Sequence, residues 1–164
     1  MPIEQPMKPN EGRLQTAEHI LAKTLECRFA DAHFIISKFE EFSGLMEIRS
    51  EQDLRKISVS ELQNEVNSII EKNLRVNVFL LPRSEAAKEF DLNRVPLSVS
   101  KVRIVEIEGF DKTPCKDPHV ENTSEIGYLE IVSVKKVGKD RYRFVFEVRI
   151  DLFSPKNTRT SVER

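Results

Sequence analysis

The chain has 164 residues, the size of one ordinary domain, with 26 Lys and Arg against 27 Asp and Glu, for a formal charge of -1. This balance excludes the strongly basic body that non-specific nucleic-acid binding favours, so any nucleic-acid contact has to be local. The two cysteines do not suggest a disulfide framework, and the longest apolar run, at 78–81, is too short for a secretion signal or a membrane span. We therefore expect one cytoplasmic domain over residues 1–164, with reduced thiols.

The first predicted element is an amphipathic helix over residues 12–29, preceded by an extended, proline-rich arm at residues 1–11. The stripe of apolar or small residues that predicts it has helical spacing: Leu14, Ala17, Leu21 and Leu25. The segments AHFIISKFE and GLMEIRS, which come next, have the composition of strands. A short polar turn that contains Gly44 separates them and indicates a hairpin.

A second helix is predicted after Ser58, which forms a capping box with Glu61 three residues later. The apolar residues that follow have helical spacing: Leu62, Val66, Ile69, Ile70 and Leu74. An alternating strand then runs to Pro82, where proline removes a backbone donor. The segment SEAAKEF after it is typical of a short helix with Ser84 as its cap.

Another strand, KVRIVEIEGF, begins at residue 101, and the residues after it, 111–127, show no sustained periodicity. We predict a long loop there, of the kind that in a compact domain is usually functional or disordered. Two strands flank residues 137–140 as a hairpin, and a polar tail at residues 154–164 is expected to fray. Two long helices and about six strands, mostly joined as hairpins, predict an α+β domain with helices packed on an antiparallel or mixed sheet.

Two metal-ligating residues, Cys115 and His119, lie four positions apart in the sequence CKDPH, within the predicted long loop. A thiolate and an imidazole are both good zinc ligands. Pro118 fixes its own backbone and biases Asp117 toward an extended form, so this loop is able to turn both side chains toward one point. A single C-x-x-x-H spacing is nevertheless compatible with ordinary loop residues as well as with a metal site.

A third possible ligand, His19, lies on the first predicted helix. It joins the pair only if that helix faces the loop, and the position one turn earlier, where a second helical ligand would lie, holds Gln15. The alternative is a histidine at the edge of the core or on the surface. Cys27 lies about 12 Å further along the helix and is interpreted as a core residue. We interpret His33 as structural and place Glu18 outside the ligand set.

Two motifs carry a resemblance to a known family. LQTAEHIL in the first helix and CKDPHVENTSEIG in the long loop resemble the editing domain that alanyl- and threonyl-tRNA synthetases share with the free-standing AlaX proteins. The family pattern is H-[ST]-A-x-H on a helix, then C-x-x-x-H followed closely by T-x-E-I-G. The similarity extends over residues 12–150, and because nothing glycine-rich precedes the helix, the chain resembles the short, free-standing type.

The resemblance implies a two-layer sandwich of long helices on a mostly antiparallel sheet, with a zinc-site loop near the first helix. It also implies one zinc ion held by His19, Cys115 and His119 plus a water, with Gln15 at the position of the family's first ligand. Three protein ligands and an open position are typical of a catalytic zinc site. Because a neutral amide is a poor zinc ligand, we expect Gln15 to contact the bound water or the substrate. Loss of the metal is the competing interpretation.

The activity that the resemblance implies is hydrolysis of the ester bond in a mischarged aminoacyl-tRNA, with seryl-tRNA(Ala) as the expected substrate and a zinc-bound water as the nucleophile. The partner is therefore the 3' end of an aminoacyl-tRNA. Gln15 and Thr16 are the catalytic-site residues expected to contact the serine hydroxyl, although Thr16 has the alternative of bonding to a backbone carbonyl one turn back. Residues 123–127 match T-x-E-I-G and are interpreted as loop closure.

Two other functions stay open at this point. One is a metal-free module that binds aminoacyl-tRNA without turnover, and the other is a structural zinc domain that acts through protein contacts. RNA phosphates would be held by basic residues, for which the segment from Val134 to Arg143 is the best local candidate if it is not simply a solvated hairpin face. Its basic residues are Lys135, Lys136, Lys139, Arg141 and Arg143.

Overall fold

The computed structural model describes residues 10–149, so the predicted polar tail at 154–164 and residues 1–9 of the predicted arm lie outside the described residues. Two short 3-10 helices, Leu54–Lys56 and Thr123–Ile126, occur between the regular elements. Those elements are, in chain order, α1 (Glu11–Arg28), β1 (His33–Phe39), β2 (Ser43–Arg49), α2 (Val59–Ile70), β3 (Val76–Pro82), α3 (Arg83–Ala86), β4 (Lys101–Ile107), β5 (Asp111–Pro114), β6 (Tyr128–Gly138) and β7 (Arg141–Arg149).

The strands form two antiparallel sheets, which confirms the predicted α+β class. One sheet has the order β1-β2-β7-β6 and the other the order β3-β4-β5. The sequence led us to expect a single sheet, but hydrophobic alternation identifies strands and hairpins without showing which hairpins lie side by side. The arrangement as one two-layer sandwich of long helices stays a prediction. Within residues 10–149, no helix is both long and apolar enough to cross a membrane.

Helix α1 lies at the centre of the main hydrophobic core. It contacts α2, both β1 and β2, and β7, so it is covered on several sides. The predicted apolar stripe is buried, with Leu14, Leu21 and Leu25 at 0% exposure. From the sheet, the core receives Met46 of β2 and Phe144 of β7. Because α1 is enclosed on several sides, its polar side chains Gln15, Thr16 and Glu18 are buried inside the domain as well.

Helix α2 begins where the sequence predicts. The Ser58 hydroxyl accepts a hydrogen bond from the Glu61 N–H at 3.3 Å, as expected for an N-cap. The helix ends at Ile70, because the chain turns at Asn73, whose φ is 55°. Leu74 therefore lies beyond the helix, although its spacing continues the helical pattern.

The interpretation of Gly44 as a turn residue is wrong. Gly44 lies inside β2, opposite Phe39 on one side and Phe146 on the other. A Cβ atom at this position would come within 2.7 Å of the Phe146 ring. Glycine is present here because two aromatic rings pack over the backbone, and this requirement depends on strands that are distant in sequence.

Three further local predictions are corrected. Ser84 does not cap α3, since it lies within the helix and Pro82 occupies the cap position. The first residues of the predicted long loop, Asp111–Pro114, form β5 and pair with β4. Cys27 is exposed and is not a core residue. The errors at Asp111–Pro114 and at Cys27 arise because strand pairing and solvent exposure depend on tertiary neighbours that local spacing does not specify.

Residues 123–127, the T-x-E-I-G match, connect the loop after β5 to α2. The fully buried Thr123 hydroxyl donates to the Ile70 carbonyl and accepts from the Leu74 N–H, both at 2.9 Å. The Glu125 carboxylate accepts from the Asn122 N–H at 3.0 Å and completes a capping box. These contacts agree with the interpretation of the motif as loop closure.

Replacing Thr123 by valine should lower the free energy of unfolding by about 2–4 kcal/mol, because it leaves the Ile70 carbonyl and the Leu74 N–H buried without a partner. Thr123→Ser keeps the hydroxyl and should cost clearly less. Urea unfolding of the two variants measures the difference. Equal stabilities would contradict the assignment of the hydroxyl as the connecting group.

Candidate metal centre

Three metal-ligating side chains meet where α1 faces the loop after β5. His19 comes from α1, and Cys115 and His119 come from the loop; one ligand atom of each lies within 4.8 Å of the other two. His119 Nε2 is 3.4 Å from Cys115 Sγ, and the two imidazole rings form a T-shaped pair with centroids 4.5 Å apart. The structure thus brings together the three residues that the sequence singled out as ligands.

The loop is held in place by Arg103, a residue of β4 that the sequence analysis did not identify. Its Nη1 donates to the carbonyls of Cys115 at 2.9 Å and of Asp117 at 2.7 Å. The Cys115 N–H in turn donates to the Arg103 carbonyl at 3.0 Å. Because these bonds reach the backbone of the loop, they fix its path without using the Cys115 side chain, whose Sγ lies 3.8 Å from Asp117 Oδ2 and 3.4 Å from His119 Nε2.

Gly12 allows α1 to come close to this loop. A Cβ atom added at Gly12 would lie 3.3 Å from the carbonyl carbon of His119, tighter than an ordinary contact. The sequence contains a signal here, since glycine is unfavourable within a helix and its presence in the first turn calls for a reason. The reason is the approach of the loop, which depends on tertiary structure.

Thr16 fixes the orientation of the His119 ring. Its Oγ1 lies 2.9 Å from the Gly12 carbonyl, to which it donates, and accepts from the Val120 N–H at 3.2 Å. Since its single proton is then used, the hydroxyl accepts from His119 Nδ1 at 3.0 Å. This tautomer leaves the Nε2 lone pair of His119 facing the Cys115 thiol, whose Sγ lies 3.4 Å away. The sequence left open whether Thr16 bonds to a backbone carbonyl one turn back. Thr16 does bond to the Gly12 carbonyl, and it contacts His119 as well.

The candidate ligand side chains are in the protonation states that metal binding requires, apart from the thiol. Burial lowers the pKa of His19 to about 4, and burial with the nearby His19 and Arg103 lowers the pKa of His119 to about 3. Both imidazoles are therefore neutral at pH 7. Burial raises the pKa of the Cys115 thiol to about 11, so a metal ion that binds there has to displace a proton.

Replacing Thr16 by valine should weaken zinc binding by about 10–100-fold, because the His119 ring loses the partner that selects its tautomer. Thr16→Ser retains the hydroxyl and should bind zinc nearly as the parent protein does. Competition with a chromophoric chelator gives both affinities. Equal zinc affinities for the valine and serine variants would show that the hydroxyl does not orient the ligand.

Two more polar side chains of α1 are buried, and both residues precede His19 by no more than one helical turn. Gln15 is 6% exposed and Glu18 is 5% exposed. Gln15 lies one turn before His19 on the same side of the helix, and within the described part of the chain its side-chain amide has no hydrogen-bond partner. Burial raises the pKa of the Glu18 carboxyl group to about 8. Its burial was not apparent from the sequence.

The basic segment from Val134 to Arg143, which forms the β6–β7 hairpin, lies on the side of the C-terminal end of α1, away from its start at Asn10. Its Asp140 carbonyl accepts from the Ser50 N–H, beyond β2, whereas the start of α1 bonds to the β1–β2 turn through Asn10. Arg141 and Arg143 are paired with Glu47, at 2.6 and 2.7 Å. Among the described residues, the three lysines of the hairpin form no ion pair. A role of this hairpin in holding RNA stays a prediction.

Comparison with known proteins identifies a domain and several similar proteins. Residues 102–145, which include Cys115 and His119, match the model described as the threonyl and alanyl tRNA synthetase second additional domain. The chain is 38% identical over 98 residues to the alanyl-tRNA editing protein AlaX-M of Saccharolobus solfataricus, covering 57% of this chain and 42% of that protein. It is 30% identical over 144 residues to the AlaX-M of Methanosarcina acetivorans, covering 82% and 56%.

Similarity extends to an alanine-tRNA ligase of a Thermoanaerobacter species, 31% identical over 141 residues, which cover 83% of this chain and 16% of the ligase. The chain spans about half the length of the AlaX-M proteins that it matches, 42% and 56% in the two cases. The resemblance drawn from LQTAEHIL and CKDPHVENTSEIG is thereby confirmed. Residues 102–145 thus carry the threonyl and alanyl tRNA synthetase second additional domain, and the chain is a homologue of the AlaX-M alanyl-tRNA editing proteins over most of its length.

Proposed function

We propose that this protein is a zinc-dependent deacylase that hydrolyses mischarged aminoacyl-tRNA, with seryl-tRNA(Ala) as its substrate. The observation that carries the proposal is the convergence of His19, Cys115 and His119 in a chain homologous to proteins named for alanyl-tRNA editing. The substrate partner is the 3' end of the aminoacyl-tRNA, and a cytoplasmic location belongs to the same proposal.

The donor set fits zinc. One thiol and two imidazoles are the ligands that zinc prefers, whereas magnesium and calcium favour oxygen donors. The Nε2 lone pair of His119, which faces Cys115, and the neutral ring of His19 would bind a cation that displaces the thiol proton. When bound, the zinc ion polarises the ester carbonyl and lowers the pKa of a water molecule to about 7, which supplies a nucleophile at neutral pH.

Discrimination has to come from residues that recognise the amino acid, because the tRNA end is common to correct and incorrect substrates. Gln15 is suited to this role, since its buried amide has unused donors and an unused acceptor within the described structure. A site that bonds to a substrate hydroxyl rejects the analogue without it by about four to five orders of magnitude. Gln15 would therefore favour serine over alanine.

Thr16 takes a different role in this proposal from the one that we expected. Its hydroxyl is fully used by the Gly12 carbonyl, the Val120 N–H and the His119 ring. It has no further proton to donate to a serine hydroxyl. We therefore propose that Thr16 is a positioning residue, which acts through His119, and that Gln15 makes the contact with the substrate side chain.

A second candidate function is a metal-free module that binds aminoacyl-tRNA without hydrolysing it. Gln15 favours it, because an amide stands where the family pattern has a histidine ligand. This alternative predicts binding of the tRNA 3' end, no zinc in the purified protein and no turnover. The two functions differ in metal content as well as in activity, so they are separable without a substrate.

The experiment that tests the proposed function compares hydrolysis of seryl-tRNA(Ala) with that of alanyl-tRNA(Ala) by the zinc-loaded protein. We expect release of serine and retention of alanine. Hydrolysis of both esters at the same rate would contradict the role given to Gln15. Hydrolysis of neither ester, with the tRNA still bound, would favour the metal-free binding module.

A further inference from the structure

The four-stranded sheet has a basic end on the face that is turned away from α1. Along β7 the buried Tyr142 points into the core, whereas Arg141 and Arg143, its neighbours, lie on the opposite face. Residues directly opposite one another on paired strands share a face. Arg49 of β2 is opposite Arg141, and Lys135 of β6 is opposite Arg143. These four residues, Arg49, Lys135, Arg141 and Arg143, therefore form one cationic surface, the basic face.

The basic face carries more positive charge than its acid balances. Glu47 lies among the four cations, is 5% exposed, and pairs with Arg141 at 2.6 Å and with Arg143 at 2.7 Å. Within residues 10–149, Arg49 and Lys135 form no ion pair. Both cross-strand pairs, Arg49 with Arg141 and Lys135 with Arg143, thus join like charges, which lowers the stability of a sheet. Such a conflict with a local rule is typical of a functional site, here one for an anion.

Further cations surround the basic face at the turn of the β6–β7 hairpin. Lys136 and Lys139 are exposed, and so is Lys56 of the 3-10 helix Leu54–Lys56, which contacts β6. In the described part of the chain, none of these three lysines is paired with an acid. Because the whole chain has a formal charge of -1, the positive charge is concentrated at this place and is not spread over the surface.

The spacing of these cations favours a long polyanion over a small ion. Neighbouring strands are about 4.8 Å apart and alternate residues along one strand are about 7 Å apart, and the basic face extends over three strands. A small anion contacts only part of it, whereas a chain of phosphates reaches all of it. None of the four side chains is aromatic, so the basic face offers no stacking platform for unpaired bases. It fits double-stranded RNA, which proteins contact largely through phosphates and shape.

We propose that the basic face binds the phosphates of a double-stranded stem of the tRNA whose 3' end reaches the candidate metal centre. This inference rests on the proposed function, because that function supplies the RNA. His19 lies nine residues before the end of α1 at Arg28, about 14 Å of rise, and Arg49 is opposite His33, five residues after that end. Since the ester is at the 3' terminus and the stem phosphates are further along the RNA, a phosphate surface is expected at a distance from the ligands.

The test measures the affinity of the zinc-loaded protein for uncharged tRNA(Ala) by fluorescence anisotropy at several salt concentrations. The double variant Arg49→Gln/Lys135→Gln removes the two cations that pair with no acid in the described residues, and it leaves Glu47 both of its partners. We expect the logarithm of the affinity to fall less steeply with the logarithm of the salt concentration, the slope changing by about 2. At low salt the affinity should be lower by about tenfold or more.

A matched control separates the basic face from the total charge of the protein. Lys72→Gln/Lys101→Gln removes the same charge from exposed positions after α2 and at the start of β4, and it should bind tRNA(Ala) with the affinity and salt dependence of the parent protein. Thermal unfolding supplies a second readout. Because Arg49→Gln/Lys135→Gln relieves two like-charge pairs, it should unfold at the temperature of the parent protein or above it, whereas loss of cations with a structural role would lower this temperature.

The outcomes are distinct. Parent-like affinity and salt slope in Arg49→Gln/Lys135→Gln would overturn the inference and leave the proposed function standing, and so would equal losses in this variant and in the control. Vesicles of phosphatidylcholine with phosphatidylserine test a membrane as the partner; if they bind to the basic face and tRNA(Ala) does not, the inference is wrong. If the slope changes as expected but the parent protein does not hydrolyse seryl-tRNA(Ala), the proposed function fails and the inference stands.

Discussion

Replacing Cys115 by alanine is expected to abolish hydrolysis of seryl-tRNA(Ala) and to weaken zinc binding by more than about 100-fold. Loss of a partner that only orients a ligand costs about 10–100-fold in metal affinity, and loss of the ligand itself costs more. Cys115 is also the one of the three proposed ligands whose side chain would become anionic. The loop should keep its path in this variant, because Arg103 holds it through the backbone carbonyls of Cys115 and Asp117.

Chelator competition measures the zinc affinity of Cys115→Ala, and release of radiolabelled serine measures its activity. Cys27→Ala is the matched control, because Cys27 is the other free cysteine and is exposed near the end of α1. It should retain both properties. The zinc mechanism would be refuted by a Cys115→Ala protein that hydrolyses the ester at the parent rate.

Replacing Gln15 by histidine should tighten zinc binding by about tenfold or more. Position 15 lies one helical turn before His19 on the same side of α1, so an imidazole there is able to join the ligand set. Gln15→Ala is the control. It should leave zinc affinity nearly unchanged and should reduce the preference for seryl-tRNA(Ala) over alanyl-tRNA(Ala), because it removes the proposed contact with the serine hydroxyl.

X-ray absorption at the zinc edge should then count one more imidazole in Gln15→His than in the parent protein. We interpret position 15 as a place from which a histidine could bind the zinc ion and from which Gln15 does not. This interpretation would be contradicted if the histidine variant had the zinc affinity of the parent protein. It would also be contradicted if Gln15→Ala lost zinc as severely as Cys115→Ala, since the glutamine would then be a ligand.

The elements that the sequence predicted correctly are those determined by local patterns. The apolar stripe identified α1, the Ser58 cap marked the start of α2, and strand-like segments joined by short polar turns identified the hairpins β1–β2 and β6–β7, although Gly44 itself lies in β2. In each case the residues that define the element are within a few positions of one another. The sequence pattern of one helix or one hairpin is therefore sufficient to predict that element.

The features that the sequence did not predict depend on distant neighbours. The division of the strands into two sheets, the short strand β5 and the packing of two phenylalanine rings over Gly44 all involve chain segments far apart in sequence. The exposure of Cys27 also depends on how distant parts of the chain pack around α1. Its small, apolar side chain is compatible with a core position, and only the packing of α1 shows that this position faces solvent.

For the site, spacing alone suggested Cys115 and His119, and the family resemblance was needed to join His19 to them. The proximity of the three residues in space could not be derived from periodicity, since it requires α1 to pack against the loop after β5. The roles of Arg103 and Thr16 follow only from hydrogen bonds across that contact. The burial of Glu18 is likewise a property of the assembled domain.

The most direct test of the account is a titration of zinc into metal-depleted protein while the rate of seryl-tRNA(Ala) hydrolysis is measured. We predict no hydrolysis without the metal, then a linear rise that levels off at one zinc ion per chain, with alanyl-tRNA(Ala) intact throughout. A rate that is the same before and after zinc is added, or no hydrolysis at any zinc concentration, would contradict the assignment of His19, Cys115 and His119 as the metal centre of a deacylase.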